Sequence, residues 1–256
     1  MRLLRAHAVN VPRALVAQRP RAVRIIDGAI GALSRLRRRV VVPSGEGGYG
    51  ALWHPRDEGE ARSLIFNDPD PEGFESSGRA DAERLAPLVG AGDAVLDLGC
   101  GIGRVARYVA PSCRVLWAVD ASESMLAHAR RRLAQLPNVR FARCDGTRVP
   151  AVPDDAVDVA YSLITLQHLE REDAFALLRE LRRILRPGGR AYITFPNLLS
   201  DVYLAAFLEG VDRGDVANPA RARAYTPQEV ERLLPAAGFA VERLDAGVEI
   251  VAVCRA

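Results

Sequence analysis

Residues 94–110 read AVLDLGCGIGRVARYVA, and no other stretch narrows the possible folds as much. An apolar run suited to a buried strand ends in three glycines at alternate positions, and helix-forming residues follow. An acid, Asp97, stands just ahead of the first glycine. Strand, bare turn and helix in that order make the crossover unit of a parallel sheet covered by helices. Glycine at such a turn lets the backbone take positive φ and approach a ligand without a Cβ in the way. The helix start beyond it offers unpaired N–H groups and a positive dipole end.

Two phosphate-binding versions of this turn fit poorly. Gly99, Gly101 and Gly103 give GxGxG, whereas the dinucleotide fingerprint needs glycine where Arg104 stands. The P-loop lysine is missing, because all 35 basic residues are arginine.

The pattern then repeats. Strand signals fall at 94–98, 115–119, 139–142, 157–163 and 191–195, and helical periodicity at 104–109, 122–135 and 171–185. A helix beginning at Arg79 leads into the first strand. Near the end, TPQEVERLLPAAGF reads as a helix with Thr226 as cap and Pro227 in its first position. VERLDAGVEIVAVCRA reads as two strands around the turn DAG. The expected fold class is α/β: a doubly wound, mostly parallel seven-stranded sheet, a C-terminal antiparallel hairpin and an N-terminal helical extension.

Three segments follow from composition: a basic helical arm over 1–45, a loop-rich connection over 46–78 and a main domain over 79–256. The connection is rich in Gly, Pro, Asp and Glu, with isolated aromatics Tyr49, Trp53, Phe66 and Phe74. It is expected to form part of an active-site cover. Residues 1–40 hold ten arginines against Asp27 alone, and the remainder holds 25 arginines against 31 acids. An acidic body makes nucleic acid an unexpected partner. In the arm, Ala22, Ile26, Ala29, Ile30, Leu33 and Leu36 recur at helical spacing. Such a basic amphipathic helix suits peripheral contact with an anionic membrane or a partner, or simply covers a cleft.

No stretch approaches 18 uncharged apolar residues, and the first twenty lack the continuous apolar centre of a signal peptide. The four cysteines form no CxxC pair, so neither a disulfide framework nor a metal site is expected, and the cytoplasm is the expected compartment.

The ordered motifs VLDLGCGIGR, AVDASESML, RCDG, SLITLQHL and LRPGG resemble those of the class I S-adenosylmethionine-dependent methyltransferases. The likeness covers roughly residues 80–195 and is greatest to small-molecule enzymes such as ubiquinone and sugar methyltransferases. The resemblance implies a Rossmann-like fold and S-adenosyl-L-methionine as cofactor. It implies that Asp97, Gly99 and Gly101, with Cys100 and Gly103, turn around the methionine end. Asp120 would take the ribose hydroxyls and Asp145 the adenine amino group, with Ala121, Met125, Gly146 and Ser162 as neighbours.

Methyl transfer from a sulfonium is an in-line displacement that mainly needs alignment and exclusion of water. A hydroxyl or amine acceptor must also lose a proton, which invites a base. His168, just beyond the fourth strand, is the candidate. Gln167, Asn197, Tyr203 and Tyr225 are candidate substrate contacts. The expected reaction is methylation of a hydroxyl, amine or activated carbon of a small molecule, without a metal. The alternatives are an RNA or protein methyltransferase and a non-catalytic cofactor-binding module. The oligomeric state is left open.

Overall fold

The computed structural model describes residues 49–66, 70–214 and 221–256, within a unit that runs from Ser44 to Ala256. The N-terminal arm over 1–45 lies outside the described residues, and so does its expected membrane or partner contact.

Seven strands form one sheet: β1 Ala94–Leu98, β2 Val115–Asp120, β3 Val139–Arg143, β4 Val157–Ser162, β5 Leu185–Pro196, β6 Ala240–Ala246 and β7 Glu249–Arg255. Their order is β3-β2-β1-β4-β5-β7-β6. The first five run parallel, and β7 pairs antiparallel with both β5 and β6. The expected sheet and terminal hairpin are both present. β1 and β4 are buried along their whole length, as strands covered by helices on both faces must be. From β1 the chain steps outward to β2 and β3, then returns to β4 on β1's other side. That reversal opens a crevice at the carboxyl ends of β1 and β4, where doubly wound sheets bind ligands.

Seven helices of the described residues flank the sheet: α1 Glu58–Phe66, α2 Pro71–Leu85, α3 Ala106–Val109, α4 Glu123–Arg132, α5 Arg171–Ile184, α6 Asp201–Asp212 and α7 Pro227–Ala236. Two of them are set by local signals the sequence states openly. Ser122 caps α4 by accepting from the Met125 N–H, and Thr226 forms a capping box with Glu229 at α7. On α5 the stripe Ala174, Leu177, Leu178, Leu181 and Ile184 is buried, as its spacing requires.

The segment over 46–78 differs from expectation. Its described part holds α1, the first half of α2 and a 3-10 turn at Tyr49–Leu52, so it is largely helical. Asp70 caps α2 by accepting from the Gly73 N–H, with Pro71 in the first position, eight residues before the expected start. Gly73, Ser76, Ser77 and Gly78 depress helix propensity there, and tertiary packing overrides them. Gly78 shows why that weak residue is present: a Cβ on it would stand 2.4 Å from the Arg104 carbonyl oxygen. α2 crosses the glycine turn at that point.

No described helix is long and apolar enough to cross a membrane.

Candidate active site

At the end of β1 the chain turns through Gly99, Gly101 and Gly103, whose φ values are 80°, 54° and 84°. The Gly99 and Cys100 N–H groups both donate to the Val119 carbonyl, at 2.7 and 2.9 Å, which ties the turn to the end of β2. There Asp120 closes the strand. Its Oδ2 accepts from the Gly101 N–H at 2.9 Å, and its Oδ1 from the Ser122 N–H at 2.8 Å. Burial raises the Asp120 carboxyl above its ordinary value, against the lowering by the N–H groups of Ser122, Gly101 and Ala121.

Asp97 sits one layer deeper. It is 4 % exposed, and its Oδ2 has no hydrogen-bond partner. Burial pushes its carboxyl up to about 7, while the neighbouring Tyr161 hydroxyl and the positive charge of Arg104 oppose the rise. Arg104 is itself buried and pairs with Asp81 at 2.7 Å. A carboxylate this enclosed with one bare oxygen is expensive unless something completes it.

The opposite wall comes from the loop after β4. Thr165 Oγ1 donates to the carbonyls of Leu98 and Leu163, and a Cβ on Gly99 would stand 2.0 Å from that hydroxyl. Only glycine allows this approach. Ile164 takes φ 57°, a strained setting for a β-branched residue, with its N–H held by Thr194 Oγ1 at 3.2 Å. His168 ends the following turn, with its ring edge-on to Trp53 at 4.6 Å between centroids.

A strap over 49–55 crosses the crevice. The Tyr49 hydroxyl donates to Asp173 Oδ2 at 2.6 Å and accepts from the Glu170 N–H at 3.1 Å. Its ring fills the space a Gly146 side chain would need. Burial and the Asp173 hydrogen bond raise the Tyr49 hydroxyl's pKa well above its ordinary value. The Ser122 hydroxyl donates to the Trp53 carbonyl and that of Ser124 to Pro55. Under the strap, α1 packs Ala61 and Ile65 against Ile102 and Met125.

The resulting cleft encloses about 970 Å³ of empty space, its open mouth included. Of the residues expected at the site, Asp97, Gly99, Cys100, Gly101, Asp120, Ala121, Met125, Gly146 and His168 line it. The others do not. Gly103 turns toward Leu133, and the Ser162 hydroxyl donates to the Leu98 carbonyl inside the sheet. Asp145 is exposed, and its Oδ1 accepts from Thr147 and Arg148 of its own loop; it borders a second cavity beside the first.

Gln167 stands behind His168. Asn197 donates to the Gly247 carbonyl and accepts from the Leu199 N–H, which makes it a turn residue. Tyr203 lies on α6. Tyr225 is buried against Phe195 with Arg171 over its ring. Asn197, Tyr203 and Tyr225 are not among the residues that line the cleft. Conversely, Leu64, Ile65, Arg104 and Thr165 line it without having been expected. Arg104 carries a signal in its place at the end of GxGxGR; the apolar residues carry none.

Residues 95–189 match the profile of a methyltransferase domain. A Mycobacterium tuberculosis protein named "Probable S-adenosylmethionine-dependent methyltransferase" is 34 % identical over 157 residues, which cover 61 % of this chain and 52 % of that protein. A demethylmenaquinone methyltransferase of Clavibacter sepedonicus is 37 % identical over 116 residues, covering 44 % of each chain. The chain thus spans about half the length of these curated relatives. The crystal structure of an S-adenosylmethionine-dependent methyltransferase from Aquifex aeolicus superposes with a TM-score of 0.57 at 21 % identity, covering 78 % of this chain and 99 % of that one, and shows the same fold.

The chain carries a class I S-adenosylmethionine-dependent methyltransferase domain. The domain's own geometry fits that cofactor. Asp97 and Gly101 both line the cleft, and Gly101 has no room for a Cβ because the Ile65 side chain packs 2.7 Å from where it would stand. The strap gives this domain a testable latch. Tyr49→Phe removes a hydrogen bond to a charged partner, worth roughly 1.5 kcal/mol or more. Release of S-adenosylhomocysteine, followed by stopped-flow tryptophan fluorescence, is expected to speed up about tenfold. An unchanged rate rules the latch out.

Proposed function

We propose that this chain transfers a methyl group from S-adenosylmethionine to a hydroxyl, amine or activated carbon of a small molecule. The observation that carries the reading is that one cleft brings together the glycine turn, Asp120 and His168. The cofactor supplies a methyl group already activated on a sulfonium. Asp97 and the glycine turn would hold its methionine end, and Asp120 its ribose hydroxyls. Trp53, Ile164 and Leu169 would exclude water from the reacting centre and present an apolar wall to the acceptor. His168 would take the acceptor's proton as the new bond forms. The small-molecule class draws support from the name of the Clavibacter relative and from the acidic composition beyond residue 40.

The test is a screen of methyl transfer from labelled S-adenosylmethionine into fractionated extracts. Label in a small-molecule fraction supports the proposal, and label confined to RNA or protein overturns the acceptor class. With the acceptor in hand, His168→Ala is expected to lower turnover about 10²-fold, the usual worth of a positioned base. Its affinity for S-adenosylhomocysteine by calorimetry should stay close to that of the parent. Full turnover in that variant removes His168 from the chemistry.

A further inference from the structure

Asp97 on β1 and Tyr161 on β4 are register partners in parallel strands, so their side chains leave the same face of the sheet as neighbours. Asp97 is 4 % exposed and Tyr161 is fully buried. The Asp97 Oδ2 and the Tyr161 hydroxyl are both without a hydrogen-bond partner. The hydroxyl still stands close enough to oppose the rise of the Asp97 carboxyl, so the two bare atoms lie side by side with the bond between them not closed. The other groups whose charge reaches Asp97 are Arg104 of the glycine turn, Asp120 of β2 and Asp81 of α2, and Arg104 is already paired with Asp81. The other titratable groups around Tyr161 are the thiols of Cys100 and Cys113.

Two orphaned polar atoms in one buried spot each cost free energy, and a single bond between them satisfies both. Burial and the Asp97 charge raise the Tyr161 hydroxyl well above its ordinary value, so it keeps its proton and serves an anion only as a donor. When Asp97 is neutral, its own O–H can donate to the tyrosine oxygen instead. The bond to the anion is charge-assisted and about twice as strong, so the pair as a whole favours the carboxylate. An ionised carboxylate has about four lone-pair sites, and one given to Tyr161 leaves the others for the cleft that Asp97 lines.

We propose that Tyr161 is a positioning residue whose hydroxyl donates to Asp97 Oδ2 and holds that side chain as the anion required at the methionine end of the cofactor. This rests on the reading of Asp97 as a group that holds that end. Tyr161 does not itself line the cleft, so it acts through Asp97.

The test needs no acceptor. The full chain, carrying ¹³C-labelled aspartate, is titrated by NMR without ligand, and Asp97→Asn assigns the Asp97 carboxyl signal. Tyr161→Phe keeps the ring and removes only the hydroxyl. A hydrogen bond to a charged acceptor moves a carboxyl by about one pH unit, so the Asp97 midpoint should rise from about 7 to about 8. At pH 7 the ionised fraction then falls from half to about a tenth, and calorimetry should find S-adenosylhomocysteine bound about fivefold more weakly than by the parent. At pH 9 the two proteins should bind nearly alike. An Asp97 midpoint that does not move in Tyr161→Phe overturns the proposal. So does an affinity loss of the same size at pH 7 and pH 9, which packing alone would produce. In the parent itself, the ring carbon bearing the Tyr161 hydroxyl should shift with the Asp97 midpoint, and a Tyr161 signal indifferent to that titration overturns the proposal without any variant. A midpoint that moves while affinity stays level with pH in both proteins would instead remove Asp97 from the cofactor contact and leave the Tyr161 bond standing, so the two failures are distinguishable.

Discussion

Asp120→Ala is expected to weaken S-adenosylhomocysteine binding by about 10³-fold. An ionised carboxylate has about four lone-pair sites. Two are occupied here by the Gly101 and Ser122 N–H groups, with the Ala121 N–H also acting on the carboxylate, and a ribose's paired hydroxyls would take the remaining capacity. Hydrogen bonds to a charged acceptor contribute roughly 1.5–3 kcal/mol each, so losing two costs about 4 kcal/mol, or some three decades in Kd. The substitution also releases the N–H that pins Gly101, so the turn itself loosens. Asp120→Asn separates the two effects. It keeps one accepting oxygen and should fall between the parent and the alanine variant. Calorimetric titration reads all three. An alanine variant within tenfold of the parent would show that the ribose is held elsewhere.

The place of Asp120 was legible because it is local: it ends a strand and meets a turn about twenty residues earlier, and both carry strong patterns, while the ribose role comes from the family resemblance. The same holds for the strands, for the Ser122 and Thr226 caps and for the α5 stripe. What escaped was set by contacts between distant segments. In NDPDPEGFESSG the cap Asp70 and the first-position Pro71 do announce a helix, but the glycines and serines that follow argue against its continuing. The reason for Gly78 is the Arg104 carbonyl that α2 crosses, 26 residues away. Thr165 seats against Gly99 across the sheet, a fit visible only when the two loops are brought together. Three substrate candidates are absent from the cleft lining for a related cause: Asn197 and Tyr225 are bridged to each other and Asn197 bonds to Gly247, contacts that the sequence does not state.

The second large effect concerns pH. Asp97 has a carboxyl raised to about 7 by burial, so in the free protein it is half protonated near neutrality. Lining the cleft, it suits the cationic methionine end of the cofactor only when ionised. Binding below pH 7 must therefore expel a proton, and affinity should fall tenfold for each pH unit, reaching about 10²-fold weaker at pH 5 than at pH 8. Asp120, raised in the same direction, steepens the loss at the acid end.

The folded protein alone responds with the opposite sign. A carboxyl whose pKa is higher folded than unfolded contributes stability below its unfolded value near 3.8, and that contribution is lost as pH rises through 7. The ligand-free protein should then gain stability from Asp97 on acidification while the cofactor lets go. Calorimetry at several pH values, in buffers of different ionisation heat, reads both the affinity and the expelled proton. Asp97→Asn should remove the pH 7 break while lowering affinity throughout. An affinity that stays level from pH 8 to 5 in the parent would mean that binding moves no proton at Asp97, and the ionised Asp97 contact would have to be given up.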